Sequence, residues 1–185
     1  MASSSPPPRI PPAKRAELGF VNSILTGISA RAAGTKRPLN LFTTVGRNRS
    51  LFRRWLIFAG ALMPGGKLPR ADTELVILRV SHRTGAEYEA THHRGIGRRA
   101  GLTEEEIEAV MEHDHSSGPW SERRRLLLTA VDELHDERTI SEETFVGLRP
   151  ELSDEDFVEL CMLAGHYSMV AGLINSLGIQ LDEHR

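Results

Sequence analysis

Cysteine is almost absent from this chain. A single residue, Cys161, among 185 excludes an intrachain disulfide and any pair of thiols working together. It also suits a reducing compartment, so the expected location is the cytoplasm. Charge of one sign is missing too. The formal net charge is −2, and aromatic residues make up only 5% of the chain. Nucleic-acid binding would need a basic field and interleaved exposed aromatics, so no nucleic-acid partner is expected. The first residues, MASSSPPPRIPPAK, are rich in Ser and Pro rather than apolar, and do not read as a signal peptide. The one long apolar run, Phe157 to Leu177, is interrupted by His166 and Asn175 and preceded by three acidic residues. It reads as a central helix or an oligomer contact, not a membrane span. No segment alternates apolar and polar residues as a half-buried strand would, and no internal repeat is visible. What remains is an all-α fold, a compact orthogonal helical bundle.

The helical elements can be read in order. Residues 1–14 form a disordered or extended arm, and 15–185 a single helical domain with its core motif at 68–110. Leu18, Val21, Ile24, Leu25 and Ile28 recur at helical spacing. Asn40 is placed to cap a short helix and Ser50 the next, with Phe52, Trp55, Leu56, Ala59 and Leu62 inward. MPGGKLP ends that element. Thr103 and Glu106 form a capping box. Ser121, Ser141 and Ser153 each stand before a further helical pattern, and Gly178 is the expected final stop.

The polar groups are oddly placed in the stretch from Leu68 to Gly101, LPRADTELVILRVSHRTGAEYEATHHRGIGRRAG. It reads as two helices, about Asp72–Thr84 and Ala86–Ala100, with Gly85 and Gly101 at the left-handed stop positions. On the second helix, Ala86, Glu89, Ala90, His93, Gly97 and Ala100 share a face. The small residues let another helix approach closely. A packed face that carries Glu89 and His93 must satisfy both, because unpaired buried polar groups are costly. Glu87, Arg94 and Arg98 read as the solvent side.

These residues resemble the carboxymuconolactone decarboxylase family, which includes the alkylhydroperoxidase D-like proteins. The likeness rests on LPRADTELVILRV, GAEYEATHH and RRAGLTEEEIEAV, and is looser out to about Gly178. In redox-active members of that family, a Glu on the first helix is followed by Cys-x-x-Cys and then a His four residues on. Aligned on that spacing, the Glu falls on Glu74, the two Cys on Ala86 and Glu89, and the His on His93. Both thiols are therefore missing, as in the decarboxylase-like members. The resemblance implies a homo-oligomer, a trimer or hexamer, acting on a small-molecule substrate.

Glu89 and His93 stand at i and i+4, so their side chains can meet; a carboxylate against an imidazole fixes its tautomer and suits proton transfer. The bland alternative is a structural pair. Glu74 is a second carboxylate facing His93 across the hairpin or, on the bland reading, a solvated first-turn acid matching the helix dipole. The expected catalytic set is thus Glu74, Glu89 and His93. Tyr88 and His82 are the expected substrate-binding residues, each with a packing or surface role as its alternative. His92 is read as a surface or interface residue, and His166 as a core histidine within reach of the pocket. Cys161 is expected to be a buried core residue. Glu89 and His93 with Glu74 or His82 would make three metal ligands, but the HExxH pattern is absent and no metal is expected. No cofactor is expected either.

Three functions stay open. One is a decarboxylase-like lyase doing acid–base chemistry on a carboxylated lactone or related organic acid. A second is alkylhydroperoxidase or peroxiredoxin activity, which needs a thiolate and a resolving thiol that this chain lacks. The third is a non-catalytic oligomeric small-molecule-binding protein.

Overall fold

The computed structural model describes residues 7–32, 35–112, 114 and 116–182. Among them are nine helices and no strand. The chain divides into two compact units, Met1–Ala61 with Leu173–Arg185, and Leu62–Gly172.

The first unit holds α1 (Arg15–Ala32), α2 (Asn40–Val45) and nearly all of α3 (Arg49–Leu62). Residues 1–6 of the expected arm lie outside the described residues. The rest of it is irregular, and Arg9 N donates to Leu177 O at 2.9 Å. Periodicity identifies α1 but not its orientation. Leu18, Asn22, Thr26 and Ala30 face inward, while Phe20, Val21, Ile24 and Ile28 are exposed. The inward Asn22 amide donates to Gly46 O at 3.2 Å, satisfying a carbonyl just past α2. Asn40 does not cap α2. Its own N–H donates instead to Asp182 Oδ1 at 2.7 Å. Ser50 does not cap α3 either, because the helix has already begun. Asn48 Oδ1 accepts from Leu51 N at 3.3 Å.

The second unit is built around α4 (Arg70–Arg83), whose Leu75, Val76, Ile77 and Leu78 are wholly buried. A turn at Gly85, with φ of 62°, leads into α5 (Glu87–Ala100), and Gly101, with φ of 102°, ends it. Both angles lie where a Cβ would be strained, as expected for left-handed stop residues. Then come α6 (Glu104–Ala109), α7 (Glu122–Asp136), α8 (Glu142–Leu148) and α9 (Asp154–Leu177). The capping box at Thr103 and Glu106 forms as expected, and Ser121 and Ser141 cap α7 and α8. Ser153 accepts from Asp156 N at 3.3 Å at the start of α9.

Val76 and Ile77 of α4 pack with Leu127 of α7 and with Leu160 and Leu163 of α9 in one core cluster. Leu75 and Leu78 pack on the other side with Ile107, Val110 and Leu128. Helix α4 is therefore clamped on both sides, and a Leu→Ala change in either cluster would cost roughly 2–5 kcal/mol. By length and composition α9 is apolar enough to cross a bilayer, yet half of its most apolar stretch is buried within the protein. Its other side carries exposed Val158, Met162 and Met169. Cys161 lies on that exposed side, which corrects the expectation of a core cysteine. Nearly every side of α9 is apolar, so composition could not tell which residues would turn inward.

Candidate active site

The α4–α5 hairpin brings Glu74 and His93 together. Glu74 lies in the first two turns of α4, and instead of being solvated it is completely buried. Helix α5 comes close because its facing side is small. A Cβ built on Gly97 would lie 3.7 Å from the Glu74 Cβ and 3.0 Å from a Leu102 methyl. The expected small-residue face is thus the packed one, with Ala86, Ala90 and Gly97 all buried.

His93 Nδ1 is 2.7 Å from Glu74 Oε2. Facing a carboxylate oxygen, Nδ1 carries the hydrogen and donates it, which leaves Nε2 as the nitrogen that can exchange a proton. On the other oxygen, Arg70 Nη2 stands 3.0 Å from Glu74 Oε1, an ion pair whose angle falls short of a hydrogen bond. The Tyr167 ring from α9 meets the His93 ring edge-on, with centroids 5.2 Å apart, and His166 meets Tyr167 in the same way. Tyr167 Oη lies 3.4 Å from Met63 Sδ. Burial pushes the Tyr167 hydroxyl far above its usual range, and keeps His166 down at about 4, so both are neutral at physiological pH.

The expected pairing of Glu89 with His93 is not the one formed. Glu89 is only 3% exposed, and among the described residues neither of its carboxyl oxygens has a hydrogen-bond partner. The i, i+4 spacing allowed that contact, but the His93 ring turns to the carboxylate across the hairpin. Burial alone pushes Glu89 up to about 8, so at neutral pH it is predominantly a protonated acid. The site therefore holds a carboxyl group that can donate a hydrogen bond and an imidazole oriented by a second carboxyl group. Groups placed so differently can act as donor and acceptor in one reaction.

Tyr88 is buried, its ring 4.7 Å from that of His92. His82 lies on the wall of a separate cavity, whose lining includes none of Glu74, Glu89 and His93. Among the described residues no group of three or more His, Cys, Asp or Glu side chains is arranged to hold a metal ion. Two neighbours of the site escaped the sequence reading. Arg70 had a legible signal, since it stands four residues before Glu74. Tyr167 had none, because only the packing of α9 brings it to His93.

Residues 49–132 match the model of the carboxymuconolactone decarboxylase family. No curated protein matches the chain. Several solved structures do. A peroxidase-related protein with an alkylhydroperoxidase D core from Ralstonia eutropha JMP134 is 20% identical, with a TM-score of 0.85 over 97% of this chain and 95% of that one. A peroxidase-related protein from Silicibacter sp. TM1040 is 16% identical, with a TM-score of 0.81 over 97% and 96%. The debrominase Bmp8, in a complex with 2,3,4-tribromopyrrole, is 17% identical, with a TM-score of 0.79 over 97% and 94%. At these identities the likeness establishes the fold, which is alkylhydroperoxidase D-like and all-α.

Proposed function

From a chain that carries the carboxymuconolactone decarboxylase family region at residues 49–132, without a Cys-x-x-Cys pair, we propose a cofactor-free acid–base enzyme. Its substrate is a small carboxylated lactone or a related organic acid, and its reaction a decarboxylation or isomerisation. The observation that carries this reading is the Glu74–His93 contact at 2.7 Å beside the unpartnered carboxyl group of Glu89. The fold does not choose the reaction, since structures of this fold include a debrominase; the choice rests on these side chains.

In a decarboxylation, the bond from the ring carbon to the carboxylate breaks and CO2 leaves. The electron pair flows into the conjugated carbonyl and forms an enolate. The Glu89 O–H donates a hydrogen bond to that developing oxyanion, a form of stabilisation that gains strength in a site closed to water. The His93 imidazolium then delivers the proton from Nε2 to carbon, while Glu74 holds Nδ1–H and with it the ring's orientation. An isomerisation uses the same groups, with the neutral imidazole first removing a proton next to the carbonyl.

Thiol chemistry has little support in these residues. Ala86 and Glu89 stand where the cysteines of redox-active relatives fall, and partial desolvation by its neighbours raises the thiol of the surface residue Cys161, which disfavours the thiolate. The same reading makes the protein a cytoplasmic homo-oligomer, a trimer or hexamer, with the exposed apolar residues of α9 as support.

The test is His93→Gln, assayed on a panel of carboxylated lactones by CO2 release and substrate absorbance. Turnover should fall by about 10²–10⁴-fold, the range for a lost general acid–base group, with the melting temperature nearly unchanged. Unchanged turnover would sink the proposal. Cys161→Ser should leave turnover intact, and its loss in a folded variant would restore the thiol reading.

A further inference from the structure

We propose that the cavity on the outer side of the α4–α5 hairpin is a second binding site, one that takes a small oxyanion such as a carboxylate or phosphate ester. The cavity is about 490 Å³, and its lining includes Glu87, Ala90, Thr91, Arg94, Arg98 and Met111. That volume lies in the range of small-molecule sites. None of the proposed catalytic residues contributes to it. Arg94 follows His93 in sequence and so points about 100° around α5 from it.

Two arginines line this cavity, and they differ. Arg98 is exposed and held by both oxygens of Glu104. Arg94 is half-buried and makes no hydrogen bond or ion pair among the described residues; Glu104 feels its charge only at longer range. A guanidinium cannot shed its proton, so partial burial without a partner leaves its five N–H donors poorly served. A carboxylate or phosphate would accept two of them side by side. Around Arg94 the cavity offers the Thr91 hydroxyl for a further polar contact. Ala90 and Met111 supply an apolar floor for a short carbon body. Glu87 is the one acidic residue among the lining residues, and it favours a ligand with a single anionic end facing Arg94. The sequence left Arg94 and Arg98 as a solvated face or as a patch attracting an anionic substrate; the partial burial of Arg94 at a cavity is what favours the second.

The test is isothermal titration calorimetry on the full chain in low-chloride buffer, with inorganic phosphate and with butyrate as separate probes. At least one should bind saturably at one site per chain, and the stronger of the two indicates which oxyanion the site prefers. Arg94→Gln should weaken that binding by at least about tenfold, equal to about 1.4 kcal/mol. Thr91→Trp, at an exposed position, should block the cavity to a similar degree while the helical circular dichroism stays unchanged, and it carries the test if Arg94→Gln fails to fold. His93→Gln should bind the probe as the wild type does. The proposal fails if neither probe binds saturably, or if the cavity variants bind normally. It fails equally if His93→Gln loses the binding, which would assign the anion to the Glu74–His93 pocket.

Discussion

Helix α4 encloses two charged side chains completely, Glu74 and Arg79, and their surroundings are opposites. Arg79 is fully enclosed and saturated. Its Nε and Nη2 donate to the two oxygens of Asp132 at 2.7 and 2.5 Å, and Nη1 donates to Glu112 O at 2.6 Å and Val110 O at 3.3 Å. Around Glu74 the arrangement is incomplete. His93 and Arg70 attend its oxygens, but Glu89, buried on the same hairpin, has no hydrogen-bond partner among the described residues. A network with every donor placed ties α4, α7 and the segment after α6 together, and leaves no group for a ligand. An unpaired buried carboxyl group destabilises the fold by itself, and its retention makes sense where a ligand completes it. The first network is architecture and the second is the candidate site.

The largest effect should come from Glu89. Its value in the folded protein, about 8, lies above the 4.5 of an ordinary glutamate. Between those values the native state binds more protons than the unfolded chain, so stability is greatest below pH 4.5 as far as this group is concerned. It is lost as pH rises through 8, with a total of up to ~5 kcal/mol. Glu89→Gln should remove that slope, as read by urea unfolding across pH 5 to 9. Identical pH profiles for wild type and variant would mean that Glu89 finds a partner or solvent, and the contrast with Arg79 would collapse.

Arg79→Leu should come next. Removing one member of a buried ion pair leaves Asp132 and two carbonyls poorly served, a loss of roughly 3–5 kcal/mol in unfolding free energy. The proposed catalytic residues should keep their function in whatever fraction stays folded, so turnover per folded molecule should hold. A drop in that quantity would mean that the two networks communicate.

Gly97→Ala should have the smallest effect. The added methyl would press on Leu102 at 3.0 Å, close to where α5 passes Glu74. Overpacking should outweigh the gain in helix propensity, for a net loss of about 1 kcal/mol. The hairpin spacing matters to the His93–Glu74 distance, so kcat should fall more than stability does. A stabilised, fully active variant would show that the close approach of the helices is not needed for the site.

Much of this molecule was legible in order of residues. Thr103, Ser121, Ser141 and Ser153 announce helix starts because a short polar side chain reaches an N–H three residues on, which is a local event. Gly85 and Gly101 announce stops because a left-handed backbone excludes a Cβ. The hairpin spacing carried the family resemblance, and with it Glu74, Glu89 and His93 as the residues to examine. Caps supplied from far along the chain were not legible: α2 takes its partner from Asp182, where the sequence pointed to Asn40.

The sequence by itself determined which segments are helical, where most of them begin and end, and which residues share a face. Only the tertiary structure decided which faces meet. Spacing permitted a Glu89–His93 pair, and packing of α5 on α4 made it Glu74–His93. The same composition that marked α9 as apolar throughout left Cys161 outward and Tyr167 against His93. Of the stripe that identified α1, Leu18 is buried while Val21, Ile24 and Ile28 face outward. The physical reason is common to all of these. Periodicity is set by backbone geometry within one helix, while burial and hydrogen-bond partners depend on which helix arrives opposite, and that contact is made by residues far apart in the chain.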